Sequence, residues 1–175
     1  MAQNSFNQYC RQEADTTALA QKLASSLSHL FQEDQSTHLN ISLEGDLGAG
    51  KTTFARHLIQ ALGYEGRVKS PTYTLCEPYP IQINSSNPST PNLIAHHFDL
   101  YRMRDPLEWQ EAGFAEHFDE PGFCLVEWPE KAEGTLPAFD IEIHLLADDD
   151  ENSRNIGFKA NSSQGIAVIE QMQIQ

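Results

Sequence analysis

Residues 45–52 read GDLGAGKT and match the phosphate-loop pattern G-x-x-x-x-G-K-[ST] at every fixed position. In such a loop the glycines let the backbone turn tightly and present N–H groups to phosphate oxygens. A lysine at the place of Lys51 reaches the β- and γ-phosphates, and a hydroxyl at the place of Thr52 suits Mg²⁺. By chance the pattern would occur in about one chain of this length in 200. We therefore predict a site for a nucleoside triphosphate and Mg²⁺.

The sequence around this loop has the context that the chemistry requires. An alternating stretch over 38–44 predicts a strand before it, and a helical pattern over 53–62 follows it. The helix would add its N-terminal dipole to the phosphate site. A glycine-rich turn without a ligand is the weaker alternative, because the motif and its context coincide. The predicted nucleotide-binding residues of this segment are Gly45, Asp46, Leu47, Gly48, Ala49, Gly50, Lys51, Thr52 and Thr53.

Two acidic residues stand at the ends of apolar stretches further along the chain. Asp99 follows 93–98, and Glu127 follows 123–126. An acid at the tip of an apolar strand is costly unless it faces a cation or hydrogen-bond donors, although an ordinary exposed acid is the alternative for either one. We predict that Asp99 meets the metal held by Thr52 and that Glu127 orients the attacking water. Direct metal contact by Glu127 stays open.

Three further residues have both a chemical and an ordinary interpretation. Thr72, in a switch-like loop over 69–74, would place a hydroxyl near the γ-phosphate or would belong to a plain turn. Trp128 would be a core residue, a ring that stacks on the nucleotide or an interface anchor. Arg102 would contact phosphate or be a surface charge.

The adjacent histidines His96 and His97 lie in a predicted strand. Neighbouring residues of a strand face opposite sides of the sheet, so the two rings make a poor metal pair. We expect one of them to be buried and the other exposed.

Hydrophobic periodicity and turn residues divide the rest of the chain into strands and helices. The expected strands are 8–12, 38–44, 73–83, 93–100, 123–126, 139–146 and 155–160. The expected helices are one capped by Asp15, Thr16 or Thr17, one over 53–62, one from Asp105 and Pro106 to before Pro121, and a weak one from Gly165 onward.

These elements predict a single α/β domain over 1–175. The variable loop 84–92 is rich in turn residues, so its flanking strands are expected to form a hairpin. The stretches 139–146 and 155–160 are expected to pair antiparallel, whereas 123–126 has the composition of a buried parallel strand. With the phosphate loop, this predicts a P-loop NTPase-like three-layer fold whose central sheet mixes parallel and antiparallel strands between flanking helices.

Amino-acid composition narrows the classes of protein to which this chain could belong. The 175 residues include 11 Lys and Arg against 25 Asp and Glu, for a formal net charge of −14. Such a chain repels phosphate backbones, which argues against a free-standing, charge-driven nucleic-acid binder. There is no signal-peptide pattern and no run of about 18 apolar residues, so we expect a cytoplasmic protein without a membrane segment. The cysteines Cys10, Cys76 and Cys124 are widely spaced and are interpreted as packing residues.

Four sequence blocks together resemble one family. The blocks EGDLGAGKTTFARHL, VKSPTYTL, HHFDLYR and LVEWPEKAEGTLP span about residues 43–137 and are similar in order and content to the TsaE (YjeE) family of small bacterial P-loop ATPases. The loop 84–92 is longer than the family usually carries.

The resemblance implies a partner role in making threonylcarbamoyladenosine, a modified base beside the anticodon of tRNAs that read A-starting codons. It implies ATP hydrolysis, weak in the isolated chain and stimulated by partners, together with the TsaD–TsaB complex, whose TsaD subunit transfers the threonylcarbamoyl group. The tRNA would be handled through that complex, and the oligomeric state stays open. The resemblance assigns the phosphate loop to 45–52, the switch threonine to Thr72, the strand-end acid to Asp99 and the Glu-Trp pair to Glu127 and Trp128, so that Glu127, Lys51 and Thr72 form the catalytic set.

Other functions of a phosphate loop are weaker alternatives. A small-molecule or nucleotide kinase is the runner-up, but no basic cluster that would form a lid follows residue 110. A GTPase is less favoured because the guanine-reading motif N-K-x-D is absent, so we expect ATP to be preferred over GTP. A nucleotide-gated binding module, in which ATP organises a partner surface, is the non-enzyme alternative.

Overall fold

A computed structural model of the chain describes residues 4–83, 93–150 and 152–175. The described strands are β1 (Ser5–Cys10), β2 (His38–Glu44), β3 (Cys76–Ile81), β4 (Leu93–Asp99), β5 (Gly122–Glu127), β6 (Ile141–Ala147) and β7 (Arg154–Ala160). The α-helices are α1 (Glu13–Glu33), α2 (Lys51–Ala61), α3 (Glu108–Glu111) and α4 (Ser163–Gln173), and 3₁₀ turns cover Ala115–Phe118 and Pro129–Ala132.

The strands of the described residues form one sheet in the order β1-β7-β6-β2-β5-β4-β3. β2 pairs parallel with β5 and β6, and β4 pairs parallel with β5. The outer pairs β1–β7, β6–β7 and β3–β4 are antiparallel. The predicted mixed sheet, the hairpin of β3 with β4 and the antiparallel pair of β6 with β7 are therefore confirmed. The loop 84–92 lies outside the described residues.

Alternation along β5 builds the core on both faces of the sheet. Phe123 and Leu125 point into the cluster that α1, α2 and α4 cover, whereas Cys124 and Val126 point into a second cluster with Trp109. Successive side chains of a strand face opposite sides, so a strand buried on both faces has a continuous apolar sequence. The parallel strands therefore lie between two covering layers and bring their carboxyl ends to one edge.

The start of α1 differs from the prediction. The helix begins at Glu13, and the Asp15 carboxylate accepts the backbone N–H of Gln12 at 3.3 Å and that of Arg11 at 3.0 Å. Asp15 thus caps from the third helical position, as in a capping box, instead of standing before the helix. The predicted N-cap at Asp15, Thr16 or Thr17 is therefore wrong. β1 begins at Ser5, three residues before the predicted start at residue 8.

The single helix predicted from Asp105 to before Pro121 is also wrong. The segment contains only the four-residue α3 and the 3₁₀ turn Ala115–Phe118. Gly113 lies between them with φ of +88°, a left-handed conformation that ends a right-handed helix. Trp109 is 3% exposed and donates its indole N–H to Thr135 Oγ1 at 2.8 Å, so the segment is held by packing.

His96 and His97 are both buried, which contradicts the expectation that one would be exposed. The two rings do face opposite sides of β4, but both sides of this strand are covered. His96 shares the face of Cys124, its register partner in β5, and His97 shares the face of Leu125. Cys10, Cys76 and Cys124 are free and buried, which confirms their interpretation as packing residues.

Within residues 4–83, 93–150 and 152–175, no helix is both long enough and apolar enough to cross a bilayer.

Candidate functional site

The phosphate loop joins the carboxyl end of β2 to the first turn of α2, as its pattern predicts. The Ala49 N–H donates to Asp46 O at 3.0 Å and closes the turn. Gly50 has φ of +99°, and a Cβ built there would lie 1.9 Å from Arg154 Nη1. The positive φ therefore favours glycine at this position, and a side chain there would also displace the Arg154 guanidinium. The loop leads directly into the N-terminus of an eleven-residue helix, a suitable place for an anion.

Lys51 is buried at the mouth of the loop. Its Nζ donates to the carbonyl oxygens of Gly45 and Asp46 and lies 4.0 Å from the centre of the Trp128 ring. Burial lowers the pKa of Lys51, and the carboxylates of Glu127, Glu130, Asp99 and Asp46 act in the opposite direction. The site thus holds a desolvated cation among acids, a setting that favours a polyanionic ligand accompanied by a metal ion.

Thr52 and Glu127 meet where α2 faces the carboxyl end of β5. The Thr52 hydroxyl lies 2.9 Å from Glu127 Oε1 and 3.2 Å from Oε2, so it donates to the carboxylate. His97 Nε2 lies 2.6 Å from Glu127 Oε2, and both side chains are nearly inaccessible to solvent. Because a carboxylate only accepts, His97 donates through Nε2. Glu127 is therefore fixed between two donors.

Asp99 lies beside Glu127 at the end of β4, where the two are register partners. Its carboxylate accepts the Tyr101 N–H at 3.1 Å and the Ser70 hydroxyl at 3.4 Å. Ser70 Oγ lies 2.8 Å from Thr72 Oγ1, so the switch-like segment connects to Asp99. Burial raises the pKa of the Asp99 carboxyl above its usual range, and the charge of Glu127 adds to the rise.

A cavity of about 460 Å³ unites these side chains. Among its lining residues are the predicted Leu47, Gly48, Gly50, Lys51, Thr52, Thr53, Thr72, Asp99, Glu127 and Trp128, together with Ser70 and Tyr101. The other predicted residues of the loop, Gly45, Asp46 and Ala49, do not line the cavity, and the carbonyl oxygens of Gly45 and Asp46 accept from Lys51. Arg102 does not line the cavity, since its guanidinium lies 4.6 Å from the centre of the Tyr73 ring. A groove of about 550 Å³ between α1 and α4 shares none of these residues.

Trp128 follows Glu127 in a left-handed conformation with φ of +59°. Such a conformation is strained for a residue with a side chain, and strain of this kind concentrates at functional sites. The half-buried ring lies 4.9 Å from the ring of Tyr101, so the two aromatic side chains form one wall of the cavity. Trp128 thus lines the cavity with one side against Lys51 and also packs against the second core cluster.

Comparison with known proteins identifies the family. The model of the family "Threonylcarbamoyl adenosine biosynthesis protein TsaE" matches residues 10–156. The chain is 39% identical over 165 residues to the tRNA threonylcarbamoyladenosine biosynthesis protein TsaE of Haemophilus influenzae, covering 94% of this chain and 96% of that protein. This chain belongs to the TsaE family. It is also 40% identical over 121 residues to the TsaE protein of Bacillus subtilis, covering 69% of this chain and 68% of that one.

A solved structure supports the fold of this TsaE-family chain. The crystal structure of Bacillus subtilis YdiB aligns with a TM-score of 0.72 at 28% identity and covers 97% of this chain and 95% of that chain. The predicted P-loop NTPase-like α/β fold is therefore confirmed. Family membership assigns the chain a role in tRNA threonylcarbamoyladenosine biosynthesis.

Sequence reasoning missed two residues that position the site of this TsaE-family chain. The first is His97, whose sequence position beside His96 gives no sign that its ring holds Glu127. The second is Arg154, whose Nη1 donates to Ala49 O at 3.0 Å and packs against Gly50. Neither contact has a local sequence signal, because 30 residues separate His97 from Glu127 and 105 separate Arg154 from Ala49.

We expect Arg154→Ala to weaken ATP binding by about 1.5–3 kcal/mol, the scale of a lost hydrogen bond from a charged donor. The variant removes the Arg154 contact with Ala49 and leaves Gly50 uncovered, so the phosphate loop loses its support from β7. Calorimetric titration with Mg-ATP measures the effect, and Lys159→Ala, an exposed position on the same strand, is the control. Unchanged ATP affinity in Arg154→Ala would show that the loop holds its shape without this arginine.

A second prediction concerns the stability of the nucleotide-free protein. A carboxyl whose pKa is higher in the folded than in the unfolded chain stabilises the fold below its unfolded pKa, and this contribution is lost as pH rises through the folded pKa. Asp99 is such a group, mainly through burial, so its ionised form lowers stability at neutral pH. We expect Asp99→Asn to raise the free energy of unfolding by about 1 kcal/mol at pH 7.

Urea unfolding at several pH values measures this effect. The difference between Asp99→Asn and the natural chain should shrink as the pH falls through the folded pKa of Asp99, where both side chains are neutral. Asp119→Asn, at an exposed position, is the control for the loss of one carboxylate from an acidic protein. An Asp99→Asn variant less stable than the natural chain at pH 7 would contradict the prediction.

Proposed function

We propose that this TsaE-family chain binds and hydrolyses ATP with Mg²⁺ and does so as the partner of the TsaD–TsaB complex in threonylcarbamoyladenosine formation. One observation carries the proposal: the Thr52 hydroxyl of the phosphate loop lies against the Glu127 carboxylate, in a cavity that also contains Lys51. Nucleoside triphosphatases combine these three groups, a loop lysine, a loop hydroxyl and a strand-end acid, around the phosphates and their metal.

The residues present fit Mg²⁺ by their donor chemistry. Mg²⁺ takes oxygen ligands and binds through one or two carboxylates together with substrate phosphates. Thr52 and Glu127 offer a hydroxyl and a carboxylate at one point, and Asp99 offers a second carboxylate at the neighbouring strand end. Bound Mg²⁺ would supply positive charge beside the phosphate oxygens, with Thr52 and Glu127 as its protein ligands.

The chain's own residues account for binding and orientation. Backbone N–H groups of the loop and the first turn of α2 would face the phosphates, and Lys51 would exchange the carbonyls of Gly45 and Asp46 for phosphate oxygens. His97 keeps Glu127 in place through its 2.6 Å hydrogen bond. Thr72, connected to Asp99 through Ser70, would bring a hydroxyl to the γ-phosphate side of the cavity.

The geometry favours a division of labour between the two acids that is the reverse of the one predicted above. Thr52 contacts Glu127, which makes Glu127 the acid nearest to the metal-binding hydroxyl. Asp99 is held by Ser70 and the Tyr101 N–H, and burial raises its pKa, which suits a group that accepts a proton from water. We therefore propose Glu127 with Thr52 as the metal pair and Asp99 as the residue that orients water.

Exposed side chains around the cavity support the proposal that a partner protein binds there. Leu47 is 73% exposed and Tyr73 is 86% exposed, and both belong to segments at the cavity, the phosphate loop and the switch-like loop. Exposed apolar and aromatic side chains next to a nucleotide site are typical of surfaces that a partner covers. The net charge of −14 favours contact with tRNA through the partners.

ATP hydrolysis by the purified chain, measured alone, with TsaD and TsaB, and with tRNA added, tests the proposal. We expect slow turnover alone and at least tenfold faster turnover with the partners, together with threonylcarbamoyladenosine formation that depends on this chain. Thr52→Ala is the matched variant and should abolish both. Equal product with and without the chain, or no ATP binding at millimolar concentration, would refute the proposal.

Base preference is tested separately by competition against a labelled ATP analogue. We expect unlabelled ATP to compete at lower concentration than GTP, since the guanine-reading motif is absent from the sequence. Equal competition by both nucleotides would contradict this expectation.

A further inference from the structure

A second group of metal-ligand side chains lies on the opposite face of the sheet from Glu127. His96 belongs to β4, His117 to the 3₁₀ turn Ala115–Phe118, and Glu120 to the turn that leads into β5. One ligand atom from each lies within 4.8 Å of the other two. His96 is 3% exposed, and the rings of His96 and His117 stack with centroids 3.9 Å apart. Three separate segments therefore converge on one point.

The distances within this group match a coordination shell better than hydrogen bonds. His96 Nε2 lies 3.8 Å from Glu120 Oε2, and His117 Nδ1 lies 3.6 Å from Glu120 Oε1. Both separations exceed the hydrogen-bond range. Ligand atoms about 2.1 Å from a tetrahedral zinc ion stand about 3.4 Å from one another. The two distances involve the two different oxygens of Glu120, and the ring planes of His96 and His117 are 12° apart. One ring must therefore rotate to direct its nitrogen at the same ion as the other.

The group also contains an unsatisfied buried atom. His117 Nδ1 is inaccessible to solvent and has no hydrogen-bond partner, which is costly for a polar atom. The backbone of Glu120 is fixed by a hydrogen bond, because His38 Nδ1 contacts its carbonyl oxygen.

We propose that His96, His117 and Glu120 bind a divalent transition-metal ion of the zinc class, independent of the nucleotide site. Two imidazoles and one carboxylate form a ligand set typical of such ions, with water as the fourth ligand. Mg²⁺ requires oxygen ligands, so this group discriminates against the ion of the phosphate loop. The bound ion would link the turn before β5 to the middle of β4. These two strands end in Asp99 and Glu127, the acids of the nucleotide cavity.

A second cluster, Glu44, Glu142 and His144, provides the control for this proposal. Its ligand atoms also lie within 4.8 Å of one another, but it lies on the surface, where His144 is more than half exposed. His144 Nε2 is 3.3 Å from Glu44 Oε2, so these two side chains already contact each other. We therefore propose no metal site at this second cluster. The substitution His144→Gln removes a ligand from it without changing the buried group.

Calorimetric titration of the tag-free full-length chain with ZnCl₂, in excess Mg²⁺ and without nucleotide, tests the site. Titration with Co²⁺ reports the coordination geometry through its visible spectrum. His117→Phe is the diagnostic variant, because phenylalanine keeps a ring against His96 and Phe114 while it removes the ligand nitrogen. We expect one Zn²⁺ per chain with micromolar or tighter affinity, weakened at least about 30-fold in His117→Phe and unchanged in His144→Gln.

Thermal unfolding with and without Zn²⁺ provides an independent readout and shows whether each variant folds. Zn²⁺ should raise the Tm of the natural chain and of His144→Gln but not that of His117→Phe. Absence of stoichiometric binding, equal affinity in His117→Phe, or binding that His144→Gln abolishes would each overturn the proposal. So would a Co²⁺ spectrum of octahedral type without nitrogen ligands.

Discussion

Glu127→Gln is expected to reduce ATP hydrolysis in the presence of TsaD and TsaB by at least about 100-fold and to weaken Mg-dependent ATP binding at the same time. The substitution removes the negative charge that faces the Thr52 hydroxyl and that His97 holds in place. A metal ligand acts in the ground state and in the transition state, so its loss affects affinity and turnover together. Calorimetry with ATP at several Mg²⁺ concentrations and steady-state hydrolysis measure the two effects.

Asp99→Asn is the matched comparison, since it makes the same carboxylate-to-amide change at the register partner of Glu127. We expect ATP affinity within about threefold of the natural chain and turnover lowered about 100-fold, because a residue that orients water acts mainly in the transition state. If Asp99→Asn loses Mg-dependent binding and Glu127→Gln keeps it, the division of labour predicted from the sequence alone is correct and the reversed one is wrong. Full turnover in Glu127→Gln would exclude a chemical role for Glu127.

Lys51→Ala is expected to lower the affinity for Mg-ATP by about 2–3 kcal/mol, the scale of a lost charge-assisted hydrogen bond. This corresponds to about 30- to 150-fold in the dissociation constant. Lys51 is the buried cation of the cavity, and its ammonium group would meet the β- and γ-phosphates. Isothermal titration with Mg-ATP measures the change directly.

Lys51→Met controls for packing, because methionine keeps an unbranched side chain beneath the Trp128 ring without the charge. Lys22→Ala, at an exposed position of α1, controls for the loss of one positive charge from an acidic protein. Both loop variants should bind equally weakly, and Lys22→Ala should bind like the natural chain. Natural ATP affinity in a folded Lys51→Met variant would contradict the assignment of this cavity as the nucleotide site.

Local patterns in the sequence carried most of the prediction of this fold and site. The phosphate loop was predictable because glycines, a lysine and a threonine at fixed spacing serve one chemistry within eight residues. Alternating and continuous apolar runs placed β2, β4 and β5 to within about two residues, since burial on one face or two imposes those patterns. Asp99 and Glu127 were identifiable as site candidates because each ends such a strand.

Predictions failed where tertiary packing outweighed local preference. The stretch from Asp105 to before Pro121 has the start signal of a helix, yet Gly113 turns left-handed and the buried Trp109 side chain holds the chain in two short turns. The expectation that one of His96 and His97 would be exposed failed for a related reason. Burial of the second ring depends on the layer that covers the other face of β4, and that layer comes from residues after 105.

The sequence by itself determined which residue types stand at the strand ends and in the loop, because those features depend on neighbours a few residues away. Only the tertiary structure decided that Thr52 faces Glu127, that Arg154 supports the phosphate loop, and that His96 lies beside His117 and Glu120. The first two contacts join residues 75 and 105 positions apart. They depend on strand order and register, which the alternation within a single strand does not encode. The division of labour between Asp99 and Glu127 therefore rests on which strand end lies against α2, a property of the assembled sheet.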